Sequence, residues 1–238
     1  MRQVNSVARK KIVFVIVEGP SDDTALGVLF NRLYDKNLIH VEITHGDITT
    51  RDWAASANIA SRIGDLVKHY SAENHFRAAD FQEIIHLVDT DGAFIPSHAV
   101  IEDPACTDPV YTPTQIMTAN PVSIRKRNEE KSSVLSRLIT MSHVWKTIPY
   151  RVFFFSSNLD HVLHNKQNST DLEKEKDAYA FAKHYKDHLP DFLTFICDSE
   201  FSVKGDYRES WSFIQDGLHS LERYSNLCIC LEPFKAQH

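Results

Sequence analysis

Two short, very apolar runs, each followed directly by an acidic cluster, constrain the fold of this chain more than any other feature. The first run, IVFVIV at residues 12–17, leads into EGPSDD at residues 18–23. The second run, IIHLV at residues 84–88, leads into DTDG at residues 89–92. Both runs are short and rich in β-branched residues, so we predict that they are buried strands of a parallel sheet. The acidic clusters then lie at the carboxyl ends of strands, where open α/β sheets bind their ligands.

The pattern between and after these runs alternates between helix and strand. Residues 21–36 and 52–70 carry apolar residues at helical spacing, and residues 39–44 form another short apolar run. The order β-α-β-α-β favours an α/β fold with a parallel sheet and right-handed crossovers. A proline-rich insertion follows at about residues 93–122, and we predict that it is irregular and lies beside the second acidic cluster.

The rest of the chain is predicted to contain one more strand and several helices. A helix is expected over residues 123–143 and a strand over residues 150–155, which ends in the polar sequence SSNLDH. The chain is then expected to be mainly helical from residue 166, with one helix over residues 206–224.

Composition limits the classes of function. The 238 residues carry a net charge of −6, which argues against a protein that wraps duplex nucleic acid by bulk electrostatics. No apolar run is long enough to span a membrane, and residues 1–11 lack the apolar core of a signal peptide, so a cytoplasmic protein is expected. The four cysteines match no zinc pattern, and we expect reduced, mostly buried thiols.

The acidic clusters predict a metal site. Glu18, Asp89 and Asp91 follow strands whose carboxyl ends can meet at one edge of the sheet. Carboxylate oxygens are the ligands that Mg²⁺ and Mn²⁺ prefer. A plainer alternative is that an acidic residue after a strand caps the next helix, and Asp22 or Asp23 can do only that.

This combination resembles the Toprim family, in which a Glu ends the first strand and an Asp-x-Asp ends the third. The form Glu-Gly-x-x-Asp is most similar to the Toprim nucleases of OLD-type and phage-defence systems. The resemblance covers residues 11–165 and implies a Toprim-like core at residues 1–165. A mainly helical C-terminal region at residues 166–238 would pack on that core. No Walker Gly-rich loop is found in the sequence, so a separate ATPase or another regulatory partner is expected.

The resemblance also implies an activity and its residues. Glu18, Asp89 and Asp91 would be catalytic and would bind Mg²⁺ or Mn²⁺, with Asp22 and Asp160 as further metal ligands. The expected substrate is DNA or RNA, cleaved at a phosphodiester bond, with a role in phage defence. A homo-oligomer is compatible with the sequence. The family's helper lysine is not placed by the sequence, and Lys166 and Lys204 are candidates.

Two other functions remain open at this stage. In a haloacid-dehalogenase-like phosphatase, Asp89 would be the nucleophile, Asp91 the general acid, and Ser156 the hydroxyl after a later strand. That assignment leaves Glu18 without a role. A partner-binding module that keeps a Toprim scaffold without catalysis is the non-enzymatic alternative, although it gives no reason to keep several carboxylates close together.

Overall fold

The computed structural model of the protein describes residues 10–36, 39–45 and 59–236. The strands of the described residues are β1 (Lys11–Val17), β2 (Ile39–His45), β3 (Phe81–Asp89), β4 (Val100–Glu102), β5 (Val110–Tyr111), β6 (Ile116–Thr118), β7 (His143–Val144) and β8 (Ile148–Phe155). Their helices are α1 (Pro20–Leu33), α2 (Ile59–Glu73), α3 (Pro121–Thr140), α4 (Leu159–His164), α5 (Asp171–Tyr185), α6 (Leu189–Asp198), α7 (Tyr207–Ile214) and α8 (Leu227–Lys235).

The main sheet confirms the α/β prediction. Its order is β2-β1-β3-β8-β7, and the pairs β2–β1, β1–β3 and β3–β8 are all parallel. The last strand, β7, is antiparallel to β8, so the sheet is mixed rather than wholly parallel. The helix predicted over residues 123–143 stops at Thr140, and His143 begins β7 instead. A tight turn through Trp145 and Lys146, both with positive φ, folds β7 back onto β8.

Helices cover both faces of this sheet, because alternate residues of each strand point to opposite faces. On β1, Val13, Val15 and Val17 join a buried cluster with α1, α5, α6 and α8. Ile12, Phe14 and Ile16 join a second cluster with α2, α3 and α7. The helices after residue 166 therefore supply much of the cover on the first face.

The proline-rich insertion is more regular than predicted. It contains a small three-stranded sheet in the order β4-β6-β5, and its apolar side packs on α3 through Ile116 and Ile124. Each of its strands has only two or three residues, which is too short to give a period-2 signal in the sequence.

Several local predictions need correction. The helix predicted over residues 206–224 is limited to α7, and turns follow it, including Gly217 with a φ of 54°. Cys197 and Cys228 form a disulfide with a Cα–Cα distance of 4.8 Å, whereas reduced thiols were predicted. Residues 46–58 lie outside the described residues, so the helix predicted over residues 52–70 is confirmed only from Ile59 onward.

In the part of the chain that the structure describes, no helix combines the length and the apolarity needed to cross a bilayer.

Candidate active site

Glu18 lies at the carboxyl end of β1, beside the end of β3. The two strands run in register with Ile16 opposite His86, so continuing the pairing by two residues brings Glu18 beside Val88. Glu18 shares the strand face of Ile16, which α2 and α3 cover. Its side chain retains 16% exposure. Glu18 therefore lies at the predicted carboxyl edge of the sheet, on the face that α2 and α3 cover.

Asp89 and Asp91 are held by a tightly bonded turn. The Thr90 N–H donates to Phe155 O at 3.0 Å, and the Asp91 N–H donates to Ser157 O at 2.8 Å. The buried Thr90 hydroxyl donates to Ser220 O at 3.0 Å and accepts from the Ser157 N–H at 2.9 Å. Asp91 adopts a φ of 50°, a left-handed conformation that Asp tolerates better than most residues. The end of β8 and a late segment of the chain thus fix this turn in place.

The residue after this turn has to be glycine. Gly92 has a φ of 67°, and an added Cβ would lie 2.7 Å from a methyl carbon of Leu221 and 3.1 Å from one of Ile116. A side chain at this position would therefore clash as well as strain the backbone.

The centre of the cluster is occupied by a lysine that was not predicted. Lys131, on α3, is fully buried, and its Nζ forms an ion pair with Asp91 Oδ2 and lies 3.6 Å from Glu18 Oε1. Burial lowers the Lys131 pKa, but Asp91, Glu18 and Asp89 outweigh it, so the pKa is raised overall. The ammonium is therefore charged and joins carboxylates from two neighbouring strands.

A second cation supports Asp91 through its main chain. Arg127 Nη2 donates to Asp91 O at 2.8 Å, and Arg127 Nη1 donates to the Tyr111 hydroxyl. Burial acts to raise the Asp91 pKa, yet Lys131 and then Arg127 reverse that effect and leave the pKa below its ordinary value. Asp91 is thus held as a carboxylate, with 26% of its side chain exposed.

Asp89 and Asp22 behave in the opposite way. The pKa of Asp89 is raised well above its ordinary value, first by burial and then by the charges of Glu18, Asp22 and Asp91. The pKa of Asp22 is raised to about 6, mainly by burial, although a 3.0 Å hydrogen bond from the Gly19 N–H lowers it. That bond, at the start of α1, is the capping contact anticipated as the alternative for Asp22. Burial thus holds the carboxyl groups of Asp89 and Asp22 closer to their protonated forms than that of Asp91.

Asp160 lies at the edge of the cluster. It is buried near the start of α4, its pKa is raised by burial, and its charge acts on Asp22. Lys174 of α5 is half-buried, and its charge lowers the pKa values of Asp22, Asp91 and Asp160.

The two lysines suggested by the sequence make their contacts elsewhere. Lys166 pairs with Asp177, although its charge also acts on Asp160. Lys204 donates to Cys197 O at 2.7 Å. The lysine in direct contact with the carboxylates is Lys131.

The donor chemistry of the cluster fits a divalent cation. In the described residues, no three side chains of His, Cys, Asp or Glu are gathered as closely as a bound metal requires. After burial, the charges of Glu18, Asp22 and Asp91 also raise the Asp89 pKa, and a cation bound among them would offset that repulsion. Lys131 shows that a positive charge is accommodated between Glu18 and Asp91. Glu18, Asp89, Asp91 and, from the adjoining helix, Asp22 are the residues that would hold it.

The sequence does contain a signal for Lys131. The buried side of α3 carries Ile124, Asn128, Leu135 and Leu138 at helical spacing, and Lys131 falls on that same side. A lysine on the apolar side of a helix is rarely fully buried without a partner, so it indicates a carboxylate opposite.

Comparisons with models of protein families, with curated proteins and with solved structures find no match to this chain.

Proposed function

We propose that the protein is a nuclease that hydrolyses phosphodiester bonds of DNA or RNA with the help of Mg²⁺ or Mn²⁺. The observation that carries the proposal is the convergence of Glu18, Asp89 and Asp91 from two neighbouring strands around the buried Lys131 ammonium. A cluster of this kind, at the carboxyl edge of a mostly parallel sheet, suits the chemistry of phosphate esters.

Each residue of the cluster has a distinct role in this proposal. Glu18, Asp89 and Asp91 hold the cation, with Asp22 and Asp160 as further acidic groups at its margin. When bound, the metal would lower the pKa of a coordinated water and polarise a phosphate oxygen. Lys131 keeps Asp91 ionised and offsets repulsion between carboxylates. Lys174 presents a positive charge at the side of the cluster, where it can attract the phosphate backbone.

The contacts favour a nuclease over a haloacid-dehalogenase-like phosphatase. The Ser156 hydroxyl is fully buried and donates to His219 O at 2.8 Å and to Glu222 O, so it is engaged in holding a turn. Glu18 would again have no role.

The test is cleavage of labelled DNA and RNA panels in Mg²⁺ or Mn²⁺, with and without a chelator. Wild type is compared with Glu18→Gln and Asp91→Asn, and with Asp65→Asn as a matched control, since Asp65 is an exposed acid that pairs with Lys68 on the surface of α2. We expect metal-dependent cleavage in wild type and the control, and a loss of at least 100-fold in both site variants, as removal of key catalytic groups typically causes.

Two other outcomes would redirect the assignment. Release of phosphate from small monoesters that survives Glu18→Gln would indicate the phosphatase. The absence of both activities and of divalent-metal stabilisation would indicate a binding module.

The resemblance adds a wider setting to the proposal. We propose that the protein acts in the cytoplasm in defence against phage, under the control of a separate ATPase or another regulatory partner. Self-association into a homo-oligomer is compatible with this role, and sedimentation of the purified protein would test it.

A further inference from the structure

Two segments that follow strands β3 and β8 at the carboxyl edge of the sheet are joined by a reciprocal pair of hydrogen bonds. The Tyr111 N–H donates to Asn168 Oδ1 at 2.8 Å, and Asn168 Nδ2 donates to Tyr111 O at 2.8 Å. Tyr111 belongs to the insertion between β3 and α3, and Asn168 to the connection between α4 and α5. We call this contact the strap.

Both sides of the strap are tied to the carboxylate cluster. On one side, the Tyr111 hydroxyl accepts from Arg127, whose other amino group donates to Asp91 O at 2.8 Å. The pKa of Tyr111 is raised, first by burial, and the charge of Asp91 contributes to the rise. On the other side, Asn168 lies shortly before α5, which carries Lys174. The strap therefore joins two segments that both border the cluster.

The carboxylate cluster that these segments border is largely covered. The side chains of Glu18 and Asp91 keep only 16% and 26% of their exposure, and Asp160 keeps 8%. A phosphodiester within a polynucleotide brings its neighbouring sugars and bases with it, so it needs more room than a water molecule or a metal ion. The covered state suits the entry of small species better than that of a polymer.

Opening the strap should require little free energy. Both of its hydrogen bonds are exposed to solvent, so water can replace them. Hydrogen bonds of this kind contribute little net stability. The two segments are thus held together at this point by a contact that is specific but weak.

We propose that the strap is a gate. In the resting protein the Tyr111–Asn168 pair closes the carboxylate cluster, and a nucleic-acid strand enters when the pair opens. This inference rests on the proposed nuclease function and adds its regulation, since the closed strap slows the entry of a strand severalfold and its release removes that restraint.

The test is Asn168→Ala, which removes both hydrogen bonds and leaves the carboxylates and lysines unchanged. Each lost bond should shift the closed-to-open ratio about twofold, so cleavage of a labelled polynucleotide should rise about fourfold. Hydrolysis of the small diester bis(p-nitrophenyl) phosphate should stay within about twofold of wild type, since so small a diester is less hindered. Asn74→Ala is the matched control, because its amide also donates to a main-chain carbonyl, Tyr70 O, at 3.0 Å.

A second measurement tests whether the strap closes the cluster without relying on cleavage activity. Carbodiimide-driven coupling of a bulky amine to Glu18 and Asp91, located by peptide mass, should increase in Asn168→Ala and not in Asn74→Ala. Unchanged coupling overturns the gate, as does polynucleotide cleavage that stays constant or falls in Asn168→Ala. If no protein cleaves any diester, the proposed function fails and the coupling yield alone decides whether the strap closes the cluster.

Discussion

Removing the Lys131 ammonium should destabilise the fold through charge rather than through packing. Lys131→Met keeps most of the volume and the apolar stem but leaves Asp91 and Glu18 without their shared cation. Loss of one partner of a buried pair costs about 3 to 5 kcal/mol. Because Asp91 retains 26% exposure and Glu18 retains 16%, we place the cost near the lower limit, at about 3 kcal/mol. For a chain of this length that lowers Tm by roughly 6 to 12 °C.

The pH dependence separates charge from packing. In wild type the Asp91 pKa is lowered by Lys131, so its stabilising contribution is present above the unfolded-state pKa and is lost as pH falls. In Lys131→Met the largest charge that opposes burial is gone, although Arg127 and Lys174 remain, so the Asp91 pKa rises and the stability that its ionised form contributes above the unfolded-state pKa shrinks. The deficit relative to wild type should therefore be larger at pH 8 than at pH 4.5.

Chemical denaturation at the two pH values measures this deficit. Lys204→Met is the matched control, since Lys204 is exposed and only donates to a carbonyl, and it should cost less than about 1 kcal/mol. An equal deficit at both pH values, or a Lys131→Met protein as stable as the control, would refute the reasoning.

Three further predictions concern neighbouring features. The pKa of Asp22 is raised from 3.8 to about 6, so wild type should lose stability as pH rises from about 4 to 6, and Asp22→Asn should flatten that part of a denaturation profile. Gly92→Ala should lower the free energy of unfolding by about 2 kcal/mol or more, because the Cβ clashes with Leu221 at positive φ, and thermal melts should show it. Thiol titration of the denatured protein should find two free thiols, Cys106 and Cys230, before reduction and four afterwards.

The strands that border the site could be predicted because their signal is local. A buried strand shows itself as a continuous apolar run, and the residues after it must lie at the carboxyl edge, so Glu18, Asp89 and Asp91 were found from sequence alone. β7 could not be found in this way. Its two residues carry no periodicity, and they follow a helical pattern that gave no strong stop signal.

The residues that complete the site depend on tertiary contacts. Lys131 lies 40 residues beyond Asp91 in the sequence, and nothing in the local pattern says which carboxylate it meets. The contact between Tyr111 and Asn168 spans 57 residues and uses main-chain groups on one side, which have no sequence signature. The sequence shows which side chains are present. Which of them pair depends on how the insertion and the C-terminal helices fold over the carboxyl edge of the sheet.

Residues 218–226, which hold the turn at residues 89–91 in place, are synthesised late, and this order has a consequence for how the protein folds. Ser220 O accepts a hydrogen bond from the Thr90 hydroxyl, and Asn226 Oδ1 accepts one from the Phe154 N–H. Ser225 forms an isolated antiparallel β-bridge with Phe155. Glu18, Asp89 and Asp91 leave the ribosome long before these residues are made, and until then the turn lacks part of its support. A growing chain therefore carries the acidic residues before their turn is fully supported, and that support is complete only once residues 218–226 have been synthesised and have folded against β8.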